Sequence, residues 1–411
     1  MIDTFRYAAF RPRAASYYVL MLVCVITIGL GGYCAMQMDQ YGHFITGMNN
    51  NVVWGLPHVY AVSLIVCASG ALNGATLGSV FGFVRYKPLS RLSVVLAMST
   101  LLGGLLVLVV DLGRPDRLLI AMTHYNFRSI FTWNIFLYSG FLLLCVWYLW
   151  MMMERRFNHH VITLGLIVLF WRIVLTTGTG SIFGLLIGQS GLHSVILALL
   201  FIALSLVTGT AALSLFTVLL DRWQPMQLDD EWVTSINRVQ FLFLTVLAFF
   251  SMVYYLTNLY GIDHHEVGQF SLTGGFSLMF WLGHVLTGLV LPLSLIIYQQ
   301  QYRQQSQQNR SGAVGSLVIG SLAVQVGGLA LLYVVIIGLQ STPRVLFPGK
   351  TVLASRFGDA GFPAYFPSLW EWGLGLGGVS VALFVFLLTI RLFPLVPESI
   401  KSANGWKEKQ R

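Results

Sequence analysis

Runs of eighteen or more mostly apolar residues recur along the whole of this 411-residue chain, separated by short polar stretches. A run of that length crosses the hydrocarbon of a bilayer as one helix, and only helices or closed barrels satisfy their own backbone there. Barrel strands would alternate apolar with polar residues, and these runs do not. With 56% hydrophobic and only 9% charged residues, the chain reads as an all-α, polytopic transmembrane helix bundle forming a single membrane domain. Ten spans are expected, at about 16–36, 57–84, 92–111, 130–153, 161–183, 192–220, 239–260, 275–298, 313–339 and 369–393, with a long loop at 341–367. The first span is long and the chain returns to the membrane at once, so it reads as an uncleaved anchor rather than a signal peptide.

The few charges fix an orientation. With the N-terminus inside, the inner segments hold 17 Lys and Arg, the outer loops 6, and Arg172 lies within a span. That bias places both termini in the cytoplasm and the 341–367 loop outside. The net charge of +9 is therefore a topology signal and not a nucleic-acid signal. No internal repeat is visible, which argues against a transporter built from inverted halves. Cys24, Cys34, Cys67 and Cys145 are isolated, with no CxxC, so no iron–sulfur cluster, zinc site or c-type haem is expected on this chain. His58, His193 and His284 do not give a depth-matched pair for a bis-histidine haem.

Asp111, Arg114, Asp116, Arg117, His124 and Arg128 gather in the outer loop between the third and fourth spans. Charge beside hydrocarbon is retained where it pairs or does chemistry, although solvated arginines anchoring to headgroups give the same pattern. Arg172 lies near mid-depth and needs an acceptor: a carboxylate, helix-end carbonyls or a ligand oxygen. His58 opens the second span, with Tyr60, Ser69 and Asn73 further along it. A quinone headgroup needs donors for two carbonyls and a group that takes a proton as an electron leaves. A histidine, a tyrosine and a carboxylate beside an apolar slot meet that need, although plain interfacial polar residues at a helix start, with no quinone, give the same pattern. His284, alone in the eighth span, reads as a hydrogen-bonded core histidine.

Asp111-Leu-Gly-Arg-Pro115, followed by Asn126-Phe-Arg-Ser129 and Trp133-Asn134, resembles the NrfD/polysulfide-reductase-type membrane subunit family. Trp54-Gly-Leu-Pro57 and Ser69-Gly-Ala-Leu-Asn73 fit the same family. Ten spans, Ala364-Tyr-Phe-Pro-Ser-Leu-Trp-Glu371 and Arg391-Leu-Phe-Pro-Leu-Val-Pro397 are similar to its ten-helix, DsrP/HybB-like subset. The resemblance implies a haem-free subunit of a bacterial inner-membrane respiratory or sulfur-metabolism complex. Such a subunit exchanges electrons between menaquinone or ubiquinone and a periplasmic ferredoxin-like iron–sulfur subunit. It carries over His58, Tyr60, Ser69, Asn73, Asp111, Arg114, His124, Tyr125, Asn126 and Arg128 as quinone-pocket candidates, with His58 or Asp111 accepting the proton. Tyr60, Asn73 or Asn126 would hold the carbonyls. Two other readings stand beside it: a secondary transporter using Arg172, and a purely structural anchor. The 341–367 loop, rich in Pro, Gly and aromatics, is expected with the Asp111–Arg128 loop to form the docking face for the extrinsic partner.

The charge bias predicts that reporter fusions after Gln308 and after Arg356 report opposite sides of the membrane; the same side for both contradicts the topology.

Overall fold

The computed structural model describes residues 6–12, 14–185, 195–226, 228–261, 265–305, 310–341 and 365–400. Ten helices in it are long and apolar enough to cross a membrane. They are α1 (Ala15–Tyr41), α2 (Leu56–Val80), α3 (Lys87–Val110), α4 (Ile130–Met153), α5 (Arg156–Gly184), α6 (Ile196–Trp223), α7 (Asp230–Tyr260), α8 (Met279–Gln301), α9 (Gly312–Gly338) and α10 (Leu369–Leu392). Residues 342–364, the centre of the long loop expected outside and most of the expected docking surface, lie outside the described residues.

α2 and α6 form the middle of the bundle and are the most enclosed of the ten. They meet through glycine: a Cβ on Gly70 would lie 1.6 Å from the Ser205 carbonyl oxygen, and one on Gly209 would lie 1.9 Å from the Gly70 carbonyl carbon. In a bilayer, where apolar surface gains nothing by leaving lipid, such small-residue contacts let backbones approach and pack. α1 is the least enclosed and leans on α10, where a Cβ on Gly31 would come within 2.8 Å of the Gly377 Cα.

Several segments differ from their sequence reading. The second span, expected to reach 84, ends at Val80, and Gly82 then takes a φ of +73° that favours glycine. The regular α-helix of this span is also broken at Leu72. Ser93 of α3 donates to Ala71 O and accepts from Ala75 N at 2.9 Å, so a hydroxyl inserted into the ladder opens it. The acidic patch Asp229-Asp-Glu231, expected as loop, is the start of α7: Asp229 caps it by accepting from Glu231 N at 3.3 Å. The segment after α7 carries a helix, His265–Thr273, where a loop was expected.

The chain is not wholly helical. Strands β1 (Tyr7–Ala9) and β2 (Pro394–Pro397) pair antiparallel, with Tyr7 opposite Pro397 and Ala8 opposite Val396. The first and last described segments therefore share one face of the bundle, at the start of α1 and the end of α10. Arg91 fastens this ribbon, lying 3.9 Å above the Tyr7 ring and donating to Pro394 O at 3.2 Å. His43, His58, Asp111 and Glu371 all sit at the opposite face, where α1 and α3 end and α2 and α10 begin.

The α2–α6 contact leaves no room for a methyl group. Gly209→Ala is expected to destabilise the purified protein by about 1–3 kcal/mol, the usual cost of overpacking, seen as a lower melting temperature. Gly29→Ala, with nothing within 4 Å of its Cβ, is expected to leave that temperature unchanged.

Candidate functional site

Asp111 is the first residue beyond α3 and continues its geometry, its N–H bonding Val107 O at 2.9 Å. The side chain, 1% exposed, turns into the bundle end between two histidines. His58 Nδ1 lies 2.8 Å from Oδ2, and His43 Nε2 lies 3.6 Å from Oδ1 and 3.0 Å from the Asp111 backbone oxygen. His58 stands in the first turn of α2, directly after Pro57, whose fixed φ suits a helix start. His43 comes from the 3-10 turn His43–Ile45 after α1.

Charge and burial act against one another at Asp111. Burial pushes its carboxyl up, but hydrogen bonding and charge from His43 and His58 outweigh that and leave it below the ordinary carboxylate value. At His43 the hydrogen bond to Asp111 raises the imidazole, burial opposes this, and the charges of Asp111 and Glu371 raise it further; the net shift is upward. The raised imidazole stabilises the fold fully below the ordinary value of 6.5 and loses that contribution as pH rises through its own titration. The lowered carboxyl contributes fully above 3.8 and loses that as pH falls through its own titration. Both contributions are thus complete between 3.8 and 6.5.

The trio is not saturated. His58 Nδ1 and both Asp111 oxygens are buried without an in-line hydrogen bond, so the close approach to His58 is an ion-pair contact at an open angle. Buried polar atoms left so are costly, and a ligand hydroxyl or a proton in transit would relieve them. The two imidazoles approach opposite oxygens of one carboxylate rather than a common point, and no group suited to a metal ion occurs among the described residues. Trp54, its ring centroid 6.3 Å from that of His58, supplies an aromatic wall.

A second carboxylate lies nearby. Glu371, 0% exposed at the start of α10, accepts from Gly47 N at 3.0 Å, Ser368 N at 2.6 Å and Tyr365 Oη at 2.6 Å. Tyr365 Oη in turn accepts from Leu56 N at 2.6 Å, and Gln340 Oε1 accepts from Val53 N and Trp54 N at 3.0 Å each. Side chains from α10 and the end of α9 therefore brace the segment joining His43 to His58. Burial and the neighbouring Glu371 push the Tyr365 hydroxyl above its ordinary value, so it remains a neutral donor.

The sequence candidates are divided by this geometry. His58 and Asp111 come together at the bundle end. Ser69 and Asn73 lie about 16 and 22 Å further along α2, by 1.5 Å per residue, and serve Arg172. Arg172 Nη1 donates to Ser69 O at 2.9 Å and Asn73 Oδ1 at 2.8 Å, while Ser69 Oγ donates to the Arg172 backbone oxygen at 3.3 Å. The expected acceptor is thus a carbonyl and an amide, without a carboxylate. An arginine at the bilayer centre costs about 2.5–3.5 kcal/mol on insertion scales, which two hydrogen bonds of a charged donor at about 1.5–3 kcal/mol each offset. Tyr60 faces α10, edge-on to Trp372 with centroids 6.0 Å apart. His284 is buried beside Ser251 Oγ at 3.1 Å.

The loop candidates are exposed. Arg114 forms a two-point pair with Asp116 at 3.1 Å, so it does not hold Asp111. His124 meets the Thr123 hydroxyl at 3.0 Å, Tyr125 stacks with Phe136 at 4.7 Å, and Asn126 Oδ1 accepts from the backbone of Arg128. The groups that meet Asp111 are therefore two histidines and not the arginine near it in sequence. His43 and Glu371 were not among the expected residues. Glu371 carried a readable signal, since Ser368-x-x-Glu371 before an apolar run is a capping box, and both of its hydrogen bonds form. His43 carried none beyond lying in the loop that precedes His58.

The sequence pattern of the polysulphide reductase, NrfD family matches residues 45–344. The chain belongs to the NrfD family. It is 25% identical to the Hdr-like menaquinol oxidoreductase integral membrane subunit of Archaeoglobus fulgidus, over 93% of this chain and 94% of that protein. It is 26% identical to a putative dimethyl sulfoxide reductase membrane subunit of Halobacterium salinarum, over 97% and 98%. Protein NrfD of Escherichia coli is 22% identical, over 71% and 96%. Within the NrfD match lie His58, Asp111 and Arg172, whereas His43, α1 and α10 with Glu371 lie outside it.

Removing the carboxylate should release His43: in Asp111→Ala the His43 titration, followed by NMR on labelled histidine, is expected to fall from its raised value toward or below 6.5. An unchanged titration contradicts the pairing.

Proposed function

We propose that this chain is the quinone- and quinol-reactive membrane subunit of a multi-subunit redox complex. It passes electrons between the membrane quinone pool and an extrinsic iron–sulfur subunit docked at the His58–Asp111 end. The observation that carries the reading is the buried His58–Asp111 pair, with three polar atoms lacking in-line hydrogen bonds, at the mouth of an apolar bundle. Relatives named as membrane subunits of a menaquinol oxidoreductase and a dimethyl sulfoxide reductase support it. The bias of basic residues supports termini on the cytoplasmic side, which would put this end in the periplasm of a bacterial cytoplasmic membrane.

In the quinol-oxidising direction, His58 accepts a hydroxyl proton at Nε2, the ring nitrogen turned from Asp111, while electrons leave for the partner subunit. Asp111 fixes the ring and stabilises the imidazolium that forms. Trp54 offers the ring a stacking wall. Tyr60, Asn73 and Asn126 are placed elsewhere, so the headgroup's polar contacts centre on His58.

Asp111→Asn keeps the shape of the side chain and removes its charge. The assembled complex is expected to lose about 10²-fold or more in quinol-dependent electron transfer, the low end for a lost general base. Near wild-type turnover in an assembled variant removes Asp111 from the mechanism. A purified wild-type complex that binds no quinol analogue overturns the reading as a whole.

A further inference from the structure

We propose that His43 is the proton exit of this site: a proton taken up by His58 leaves the protein through Asp111 and then the His43 imidazole. The inference rests on the quinone reading above and adds to it a residue outside the family match.

The three groups are joined in series through Asp111, and His43 is the most exposed of them. The side chains are 19% exposed at His58, 1% at Asp111 and 34% at His43. Asp111 offers one carboxylate oxygen to each imidazole, Oδ2 to His58 Nδ1 at 2.8 Å and Oδ1 to His43 Nε2 at 3.6 Å. Each ring thus spends one nitrogen on the carboxylate and keeps the other for exchange. Bond by bond, the quinol O–H breaks as His58 Nε2–H forms, and the His58 Nδ1 proton moves to Oδ2. The carboxyl turns about its Cβ–Cγ bond to present that proton to His43 Nε2, and His43 Nδ1 gives its own proton to water. Both rings then turn to restore their starting tautomers, and a second passage follows, so that two protons leave with the two electrons that one quinol delivers to the redox centre of the partner subunit.

The charges around His43 favour this direction. Asp111 beyond α3 and Glu371 on α10 both face it and raise its affinity for a proton, and His58 on α2 lies across the carboxylate. Arg114, the nearest basic residue along the chain from Asp111, is neutralised by Asp116. Protonated Nε2 stands between two oxygens of Asp111, the carboxylate and the backbone carbonyl at 3.0 Å, so the ring holds a proton at the outer edge of the site. The backbone that carries the ring is held: Thr46 N donates to His43 O at 3.0 Å, and Glu371 holds Gly47 N just beyond. A wholly structural role for His43, as a fixed counter-charge for Asp111, makes a different prediction from a relay.

The test uses the complete complex with His43→Gln, read by quinol-analogue binding, quinol-dependent electron transfer and the effect of added imidazole. The relay predicts unchanged analogue affinity and a rate reduced about 10²-fold, as for loss of a proton-transfer group. It also predicts recovery of most of that rate with imidazole in the buffer. A rate within about twofold of wild type overturns the relay, and so does a loss that imidazole does not restore. Should His43→Gln fail to assemble, His43→Asn is read by the same criteria. Analogue binding to the wild type is measured first: its absence overturns the quinone reading and the relay with it, whereas its presence with an unaffected His43 variant overturns the relay alone.

Discussion

A carboxylate buried at the end of an apolar helix has to be answered by the protein, because hydrocarbon offers it neither water nor a hydrogen bond. Asp111 is answered by imidazoles from two different segments, and much of the surrounding architecture holds those segments still. His58 rides on the first turn of α2, the most enclosed helix of the bundle. His43 is tied through the 46–55 segment to Glu371, Tyr365 and Gln340. Removing one member of a buried pair typically costs about 3–5 kcal/mol, so this end of the bundle stands or falls together. Its histidine pair keeps the carboxyl below its ordinary value without in-line hydrogen bonds to either oxygen.

The same constraint operates at mid-depth with a different solution. Arg172 is answered by a backbone carbonyl and an amide oxygen, with Thr176 donating to Ser69 Oγ at 2.6 Å and Asn73 anchored to Thr210 at 2.8 Å. The break in α2 at Leu72 lies within this region, between the Ser69 and Asn73 that serve the arginine. The two polar centres share α2 but not a ligand, since about 16 Å of helix separates them. α1 and α10, outside the NrfD match, belong to the outer centre: the turn after α1 carries His43 and the first turn of α10 carries Glu371.

Some of the candidate site could be read directly and some could not. Asp111 and His58 stood out because each is an ionisable residue at the end of an apolar run, where desolvation makes such a residue expensive. Ser69 and Asn73 stood out as polar residues within a run, but their partner is set by how α2 crosses α5. Arg114 is near Asp111 in sequence but pairs with Asp116. A two-residue reach from Arg114 to Asp116 costs less order than a turn back into the bundle, so the loop arginines stay outside. His43 lies 68 residues from Asp111, and Glu371 lies 324 from Gly47. No local pattern encodes such pairs.

The sequence by itself determined that the chain is a membrane helix bundle, how many of its segments are long and apolar enough to cross, and which residues are too polar to be left in lipid. Those properties follow from transfer free energies summed over about twenty neighbouring residues, a local quantity. It also carried the family's paired motifs on either side of the Asp111 loop. Only the tertiary structure decided which polar residues share a centre, that α2 opens where Ser93 enters its ladder, and that strands Tyr7–Ala9 and Pro394–Pro397 join the first and last described segments. Each of these depends on a partner on another segment. Which partner is reached is fixed by the close approach of glycine-faced helices, and so by packing in three dimensions rather than by the period of any one segment.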